Sequence, residues 1–300
     1  YCSENGIDAA IGFMEEANIP LAISAKLLGD DLDIYLTIHN INFDKKSLIY
    51  PLLVRWLYSA SEGIIVVSDV LKEKIENKYN FNNIKRVYNP LDINIRKKIK
   101  ILDENKESFQ YINVGRLTEE KGQKHLIDCF NYVNKLYPNS RLTILGDGKL
   151  RKDLELQIDT LNLQENISLP GFVHNVEAYL DVSDVFVFSS LSEGMGIVLI
   201  EALARNLPVI STDCEAGPRE ILAPNLDLKE EVEYPYYGKY GVLIPDISKS
   251  PERGKKILAQ TMKALFEDKK LKQKYSKNYS RARDFTKRKI IQQWEDTIWK

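Results

Sequence analysis

Histidine and cysteine are scarce in this chain, three of each among 300 residues. Cys2, Cys129 and Cys214 show neither close pairing nor metal-ligand spacing. That argues against a disulfide framework or a cysteine zinc site and fits a reducing, cytoplasmic compartment. An excess of either charge is also lacking: 42 Lys and Arg stand against 43 Asp and Glu, a formal net charge of −1. No strong attraction to nucleic acid follows, and none is expected as a partner. The local basic run RKKIK, residues 96–100, reads as solvated linker. No run of about 18 uninterrupted apolar residues occurs, so no bilayer-spanning helix is expected. No secretory signal, short-period repeat or low-complexity tract is visible.

What is present is an ordinary globular composition, 44% hydrophobic and 28% charged, in a chain long enough for two domains. Short, continuously apolar runs of strand length recur at Ala9–Phe13, Ile34–Ile38, Ile64–Val67, Tyr111–Val114, Leu142–Leu145, Val185–Phe188 and Val209–Ser211. Such runs suit strands buried on both faces. Between them lie helical periods, as in Gln123–Leu136 with Leu126, Ile127, Phe130 and Val133, and in Gly196–Arg205. The alternation predicts an α/β chain of two Rossmann-like domains, parallel sheets flanked by helices and facing a cleft. The break follows VYNPLD: residues 1–92 form a first domain with about four strands, 93–107 a linker, and 108–280 a second domain with about six. The segment 281–300 ends in an amphipathic helix, Lys287–Trp299, with Ile290, Ile291, Trp294 and Ile298 on one face. Its packing partner is not readable from sequence.

Three segments could carry chemistry. In VGRLTEEKG a strand ends at Val114, Gly115 permits a sharp turn, and Arg116 stands at the strand's carboxyl end. Lys121 follows at the entry of the next helix. Two cations beside a helix N-terminus suit a diphosphate; the plainer reading is a surface loop with two basic residues. In SSLSEGMG, Gly194 and Gly196 allow close backbone approach to a ligand at the start of a helix. Glu193 could accept from sugar hydroxyls, and Glu201, set among Leu199, Ile200, Ala202 and Leu203, from a ribose. The plainer readings are a helix-capping acid and a solvated helix residue. His39 follows the strand Ile34–Ile38 and would face the cleft, although a lone strand-end histidine is more often structural. Gly146-Asp147-Gly148 is a weak partial dinucleotide fingerprint and reads better as a turn. The thiol of Cys214, with no histidine nearby in sequence, does not read as a nucleophile.

Taken in order, VGRLTEEKG, RLTILGDG, LPGFV, EGMGIVLIEALA, PVISTD and GPREIL resemble the retaining glycosyltransferases of family 4, which have the GT-B architecture. The likeness covers about residues 108–280 well and extends more weakly over the first domain through IHN, IIVVSDVLKE and VYNPLD. CEAGPREILAP looks like enzymes that build bacterial capsule, O-antigen or other surface glycans. By this resemblance Arg116 and Lys121 match the diphosphate-binding cations. Glu193 opens the acid-x7-acid motif near the sugar hydroxyls, and Glu201 matches its ribose-binding acid. Gly194, Met195, Gly196 and Ile197 match the donor turn, Gly115 the turn before Arg116, and Phe172 and Val173 the nucleobase segment. His39 resembles the first-domain histidine near the anomeric centre. The implied catalytic set is His39, Arg116, Lys121 and Glu193.

The resemblance implies transfer of a hexose or N-acetylhexosamine, with retention, from a nucleotide-diphosphate sugar, UDP by default, to a glycan or polyprenyl-linked acceptor. No cofactor and no metal are implied, since no DxD-type metal site is evident. Glu193 is not assigned as a nucleophile, because the pair of carboxylates of a retaining hydrolase is lacking. The segment Lys45–Tyr58 mixes basic and apolar residues and is a candidate for peripheral contact with the inner membrane face, against the plainer reading of a core helix. A start at Tyr1 reads as a first domain lacking its N-terminal part. Two alternatives stay open: a nucleotide-sugar epimerase or hydrolase of the UDP-N-acetylglucosamine 2-epimerase type, and a non-catalytic nucleotide-sugar-binding module.

Overall fold

The computed structural model describes residues 3–28, 32–39, 50–93, 95 and 108–299. The RKKIK run, nearly all of the expected linker and the first part of Lys45–Tyr58 lie outside them. The chain divides into two compact units, Tyr1–Leu91 with Phe285–Lys300, and Asp92–Asp284.

The first unit is built on four strands, β1 (Ala9–Phe13), β2 (Asp33–Ile38), β3 (Gly63–Val66) and β4 (Ile84–Arg86), in that spatial order. All are parallel, with Gly12 opposite Leu36 and Ile38 opposite Val66. Parallel neighbours need crossovers, and α1 (Glu15–Leu28), α2 (Tyr50–Tyr58) and α3 (Asp69–Tyr79) supply them. Helix α3 starts where the Ser68 hydroxyl accepts from the Leu71 amide and stops at Asn80, whose left-handed φ of 54° breaks the helical run. The four residues of β3 are all buried, which is why Ile64–Val67 reads as a continuous apolar run. Helix α2 buries Val54, Leu57 and Tyr58 and leaves Leu52, Leu53 and Trp56 exposed.

The C-terminal helix, Lys287–Ile298, belongs to this unit. Its last carbonyls are met by two donors from the sheet: Tyr35 Oη at 3.1 Å from Ile298 O, and Lys85 Nζ at 3.1 Å from Thr297 O. Both answer the unpaired carbonyls of a helix end, and the lysine also opposes its negative pole. Ile290 is fully buried, whereas Ile291, expected on the same face, remains 40% exposed. Adjacent helical residues point about 100° apart, so one inward face cannot bury both well.

The second unit contains β5 (Phe109–Val114), α4 (Gln123–Leu136), β6 (Ser140–Leu145), α5 (Arg151–Thr160), β7 (Ile167–Gly171), α6 (Val176–Val182), β8 (Val185–Phe188), α7 (Ile197–Ala204), β9 (Val209–Thr212), α8 (Pro218–Leu222), β10 (Tyr236–Tyr237) and β11 (Val242–Ile244). Three further helices close it: α9 (Pro251–Glu267), α10 (Lys269–Tyr275) and α11 (Tyr279–Ala282). Its sheet runs β10-β11-β9-β8-β5-β6-β7; six strands are parallel, and β10 is an antiparallel addition at one edge. The four apolar residues expected to make α4 amphipathic, Leu126, Ile127, Phe130 and Val133, are all fully buried in the main core. At about 25 cal/mol per Å² of apolar surface, each such side chain contributes roughly 1.5–3 kcal/mol.

Strand order places the site. The chain leaves β5 toward β6 and β7 on one side, then returns to lay β8 against the other side of β5. The loops after β5 and β8 therefore diverge from neighbouring strands at the carboxyl edge. A doubly wound sheet opens its ligand crevice at such a reversal.

Candidate active site

Backbone packing fixes the loop after β5. Gly115 N–H donates to Leu145 O at 2.9 Å and Leu117 N–H to Asp147 O at 2.9 Å. The loop after β6 lies directly against it: a Cβ on Gly146 would fall 2.0 Å from Gly115 O, and one on Gly148 2.5 Å from Leu117 O. Gly146-Asp147-Gly148 is thus a turn that lets two main chains touch, as its composition suggested. Arg116 is exposed, and its carbonyl is held from below by Gln123 Nε2 at 3.0 Å. Lys121 ends a single 3-10 turn, Glu119–Lys121, rather than opening α4, because Gly122 turns left-handed before the helix begins.

The loop after β8 meets this turn. Ser189 Oγ donates to Lys121 O at 2.8 Å, Leu191 N–H donates to Glu120 O at 2.7 Å, and a Cβ on Gly122 would collide with Ser189 O. The contact brings Lys121 Nζ onto the Glu193 carboxylate. The same oxygen, Glu193 Oε1, accepts from Ser190 Oγ at 2.8 Å. Both partners are largely shielded, with side-chain exposures of 19% and 11%. Gly196, at φ 78°, then turns the chain into α7, whose Leu199, Ile200, Ala202 and Leu203 are fully buried. Glu201 on that helix is half-buried; burial, reinforced by the Glu177 carboxylate, raises its pKa above the ordinary carboxylate value.

A third loop supports the second. A Cβ on Gly217 would lie 1.9 Å from Met195 O, so the loop after β9 presses directly on the Gly194–Gly196 turn. Thr212 Oγ1 donates to Ser190 O from the same strand end. Arg219 anchors the loop: its guanidinium grips both Asp213 oxygens and donates to the carbonyls of Asp227, Leu228 and Glu230 at 3.0, 3.1 and 2.8 Å. Ser189 and Ser190 open the SSLSEGMG segment but carried no role of their own in the sequence, and Gly217 and Arg219 were visible only within the GPREIL segment. Cys214 is 3% exposed and burial pushes its thiol far up, which fits an inert core position.

Phe172 projects from the loop after β7, 72% exposed, with His174 edge-on at 5.2 Å, and Val173 is half-buried beside it. That loop joins the others through Gly146 N–H, which donates to Gly171 O at 2.9 Å. Gly115, Arg116, Lys121, Phe172, Val173, Glu193–Ile197 and Glu201 therefore all sit on the carboxyl-edge loops of one sheet or the helix that follows. His39 belongs to the first unit, at the end of β2. Its Nε2 lies 2.9 Å from Thr37 Oγ1, and burial lowers its pKa. Among the described residues no group of three or more His, Cys, Asp or Glu could hold a metal ion, and no helix is long and apolar enough to cross a membrane.

Known proteins resemble this chain in sequence and in fold. Residues 94–233 match the family model of the glycosyl transferases group 1. An uncharacterized glycosyltransferase of Methanocaldococcus jannaschii is 42% identical over 268 residues, 83% of this chain and 66% of its own. The chain thus spans just under two thirds of that relative. The Campylobacter jejuni N-acetylgalactosamine-N,N'-diacetylbacillosaminyl-diphospho-undecaprenol 4-alpha-N-acetylgalactosaminyltransferase is 29% identical over 96% of this chain and 75% of its own. Among solved structures, Anabaena HepE in complex with UDP and glucose superposes with a TM-score of 0.78 at 20% identity, over 99% of this chain and 79% of that one. The fold is thus that of the GT-B glycosyltransferases, and residues 94–233 are similar to the glycosyl transferases group 1.

Proposed function

We propose that the protein transfers a hexose or N-acetylhexosamine, with retention of configuration, from a UDP-sugar to a glycan or polyprenyl-linked acceptor in surface polysaccharide synthesis. The observation that carries the reading is the Lys121–Glu193 contact at the β5/β8 reversal. A cation suited to a diphosphate and an acid suited to sugar hydroxyls meet there, although 72 residues separate them. Donor binding divides the pair: Lys121 turns to the diphosphate with Arg116, and Glu193 accepts from the sugar. As the acceptor hydroxyl oxygen bonds to the anomeric carbon on the face of departure, the bond from that carbon to the phosphate oxygen breaks, its electron pair stays on the departing diphosphate, and the hydroxyl proton passes to that diphosphate. Arg116, Lys121 and the amides at the start of α7 stabilise that charge, with no metal ion called upon. Glu201 accepts from the ribose, and Phe172 and Val173 flank the base.

The relative that acts on an undecaprenol-linked glycan and the neighbour bound to UDP and glucose support the acceptor and donor classes. Peripheral membrane contact through α2, which exposes Leu52 and Trp56, would suit a lipid-linked acceptor. The test is a panel of UDP- and GDP-sugars scored by thermal shift and then by mass-spectrometric turnover. A UDP-sugar is expected to raise the melting temperature, and Lys121→Met to weaken its binding at least tenfold, about 1.4 kcal/mol. Epimerised donor formed without any acceptor would sink the proposal, as would undiminished binding by the variant.

A further inference from the structure

The turn from β1 into α1 in the first unit is built with more care than a connection needs. Met14 holds a left-handed φ of 69°, a conformation side-chain-bearing residues rarely adopt. A buried polar network enforces it. Asn18, fully buried, donates from Nδ2 to Thr37 O at 2.7 Å and accepts from Thr37 N–H at 3.3 Å. Gly12 is required there, since a Cβ would stand 2.5 Å from Asn18 Oδ1. Thr37 Oγ1 accepts from the Met14 amide at 3.3 Å and holds His39 Nε2 at 2.9 Å. Backbone strain maintained by surrounding structure is a mark of functional positions.

What this network presents is apolar and exposed. Phe13 is 54% exposed and Met14 50%. The Phe13 ring lies 5.8 Å, centroid to centroid, from Trp294 of the C-terminal helix and 6.0 Å from His39, each tilted by about 40°. Three rings, from the end of β1, the residue after β2 and the C-terminal helix, thus cluster around Phe13.

We propose that Phe13, Trp294 and His39 form a stacking platform for a neutral pyranose ring, the sugar of the acceptor. An aromatic face takes the C–H face of a sugar, and a large apolar ring with a polar group beside it is the usual pattern of a ligand site. His39, its Nε2 occupied by Thr37, offers Nδ1 to a hydroxyl. Glu15 and Glu16 open α1 beside this constellation. Carboxylates accept from hydroxyls and repel phosphate, which favours an uncharged sugar over a nucleotide diphosphate. The assignment of the sugar as acceptor rests on the glycosyltransferase reading; the stacking itself does not.

Saturation-transfer NMR on the intact chain, with the methyl α-glycosides of glucose, galactose, N-acetylglucosamine and N-acetylgalactosamine as probes, tests it. At least one probe is expected to receive saturation on its ring protons. Phe13→Ala should weaken that probe at least tenfold, Phe13→Trp should restore it, and the thermal shift given by UDP should be the same in all three proteins. In a transfer assay Phe13→Ala should raise the acceptor KM while leaving the donor KM in place. A protein that binds UDP but none of the glycosides overturns the platform and leaves the donor site standing. Glycoside binding without a UDP shift does the reverse. Equal binding by Phe13→Ala, or binding that needs the alkyl chain of an octyl glycoside, also overturns it, the last in favour of an apolar contact.

Discussion

Gly217 gives the sharpest test of how the donor turn is held. Its φ of 88° lies where a side chain is strained, at a cost of about 1–2 kcal/mol. A Cβ there would also stand 1.9 Å from Met195 O, 2.3 Å from Met195 C and 2.6 Å from Met195 Cα. All three are backbone atoms of the turn between Glu193 and Gly196, so no side-chain rotation relieves the overlap. Forced overpacking costs about 1–3 kcal/mol more. Gly217→Ala should therefore destabilise the second unit by about 3 kcal/mol, lowering its melting temperature by roughly 6–12 °C for a unit of this size. If the main chain yields instead, Met195 moves and the loss appears as weaker UDP binding. Gly171→Ala is the control in the same unit: its φ is also positive, 86°, but its Cβ would reach only Arg151 Nη1, at 3.4 Å. That variant should show the strain cost alone, about 1–2 kcal/mol. Calorimetry and UDP titration of both proteins decide the matter. A Gly217→Ala protein that melts no lower than the control and binds UDP like wild type would refute the argument.

Three further outcomes follow from the same geometry. Glu201 has a raised pKa, so the folded unit binds its proton more tightly than the unfolded chain; stability from this group falls as pH rises from the ordinary carboxylate value to the raised one. Glu201→Gln should remove that slope in pH-dependent unfolding, and wild-type donor affinity should decline on acidification at a higher pH than an ordinary glutamate would give. His39 behaves oppositely: its lowered pKa means stability is lost as pH falls through 6.5 toward the folded value, a slope that His39→Gln should abolish in denaturant titrations. Arg219→Lys keeps the charge but cannot grip both Asp213 oxygens and three carbonyls at once, so about 2–4 kcal/mol should be lost, with faster amide exchange over residues 224–235. Protection there equal to wild type would show that the guanidinium is not the anchor.

The sequence alone determined the local elements, and the physical reason is burial on both faces. Val185–Phe188 and Ile64–Val66 are uninterrupted apolar runs because helices cover both sides of each sheet, so no polar alternation is needed. α4 announced itself because one buried stripe leaves a 3.6-residue period. Arg116, Lys121, Glu193 and Glu201 were legible because glycines and charges directly after buried strands are costly to explain otherwise. β10 and β11, two and three residues long, are too short to leave a period, and the antiparallel edge went unseen.

Tertiary structure decided everything that depends on which strand lies beside which. Only the sheet order sets β8 against β5 and so closes Lys121 onto Glu193. Only packing shows that Gly217 braces Met195, or that Trp294 reaches Phe13 across 280 intervening positions of sequence order. The C-terminal helix carried a clear amphipathic pattern, yet its destination was fixed by Tyr35 and Lys85 meeting its final carbonyls. A hydrophobic period records that a face is buried, not against what; the partner is set by long-range contacts that leave no trace in the local sequence.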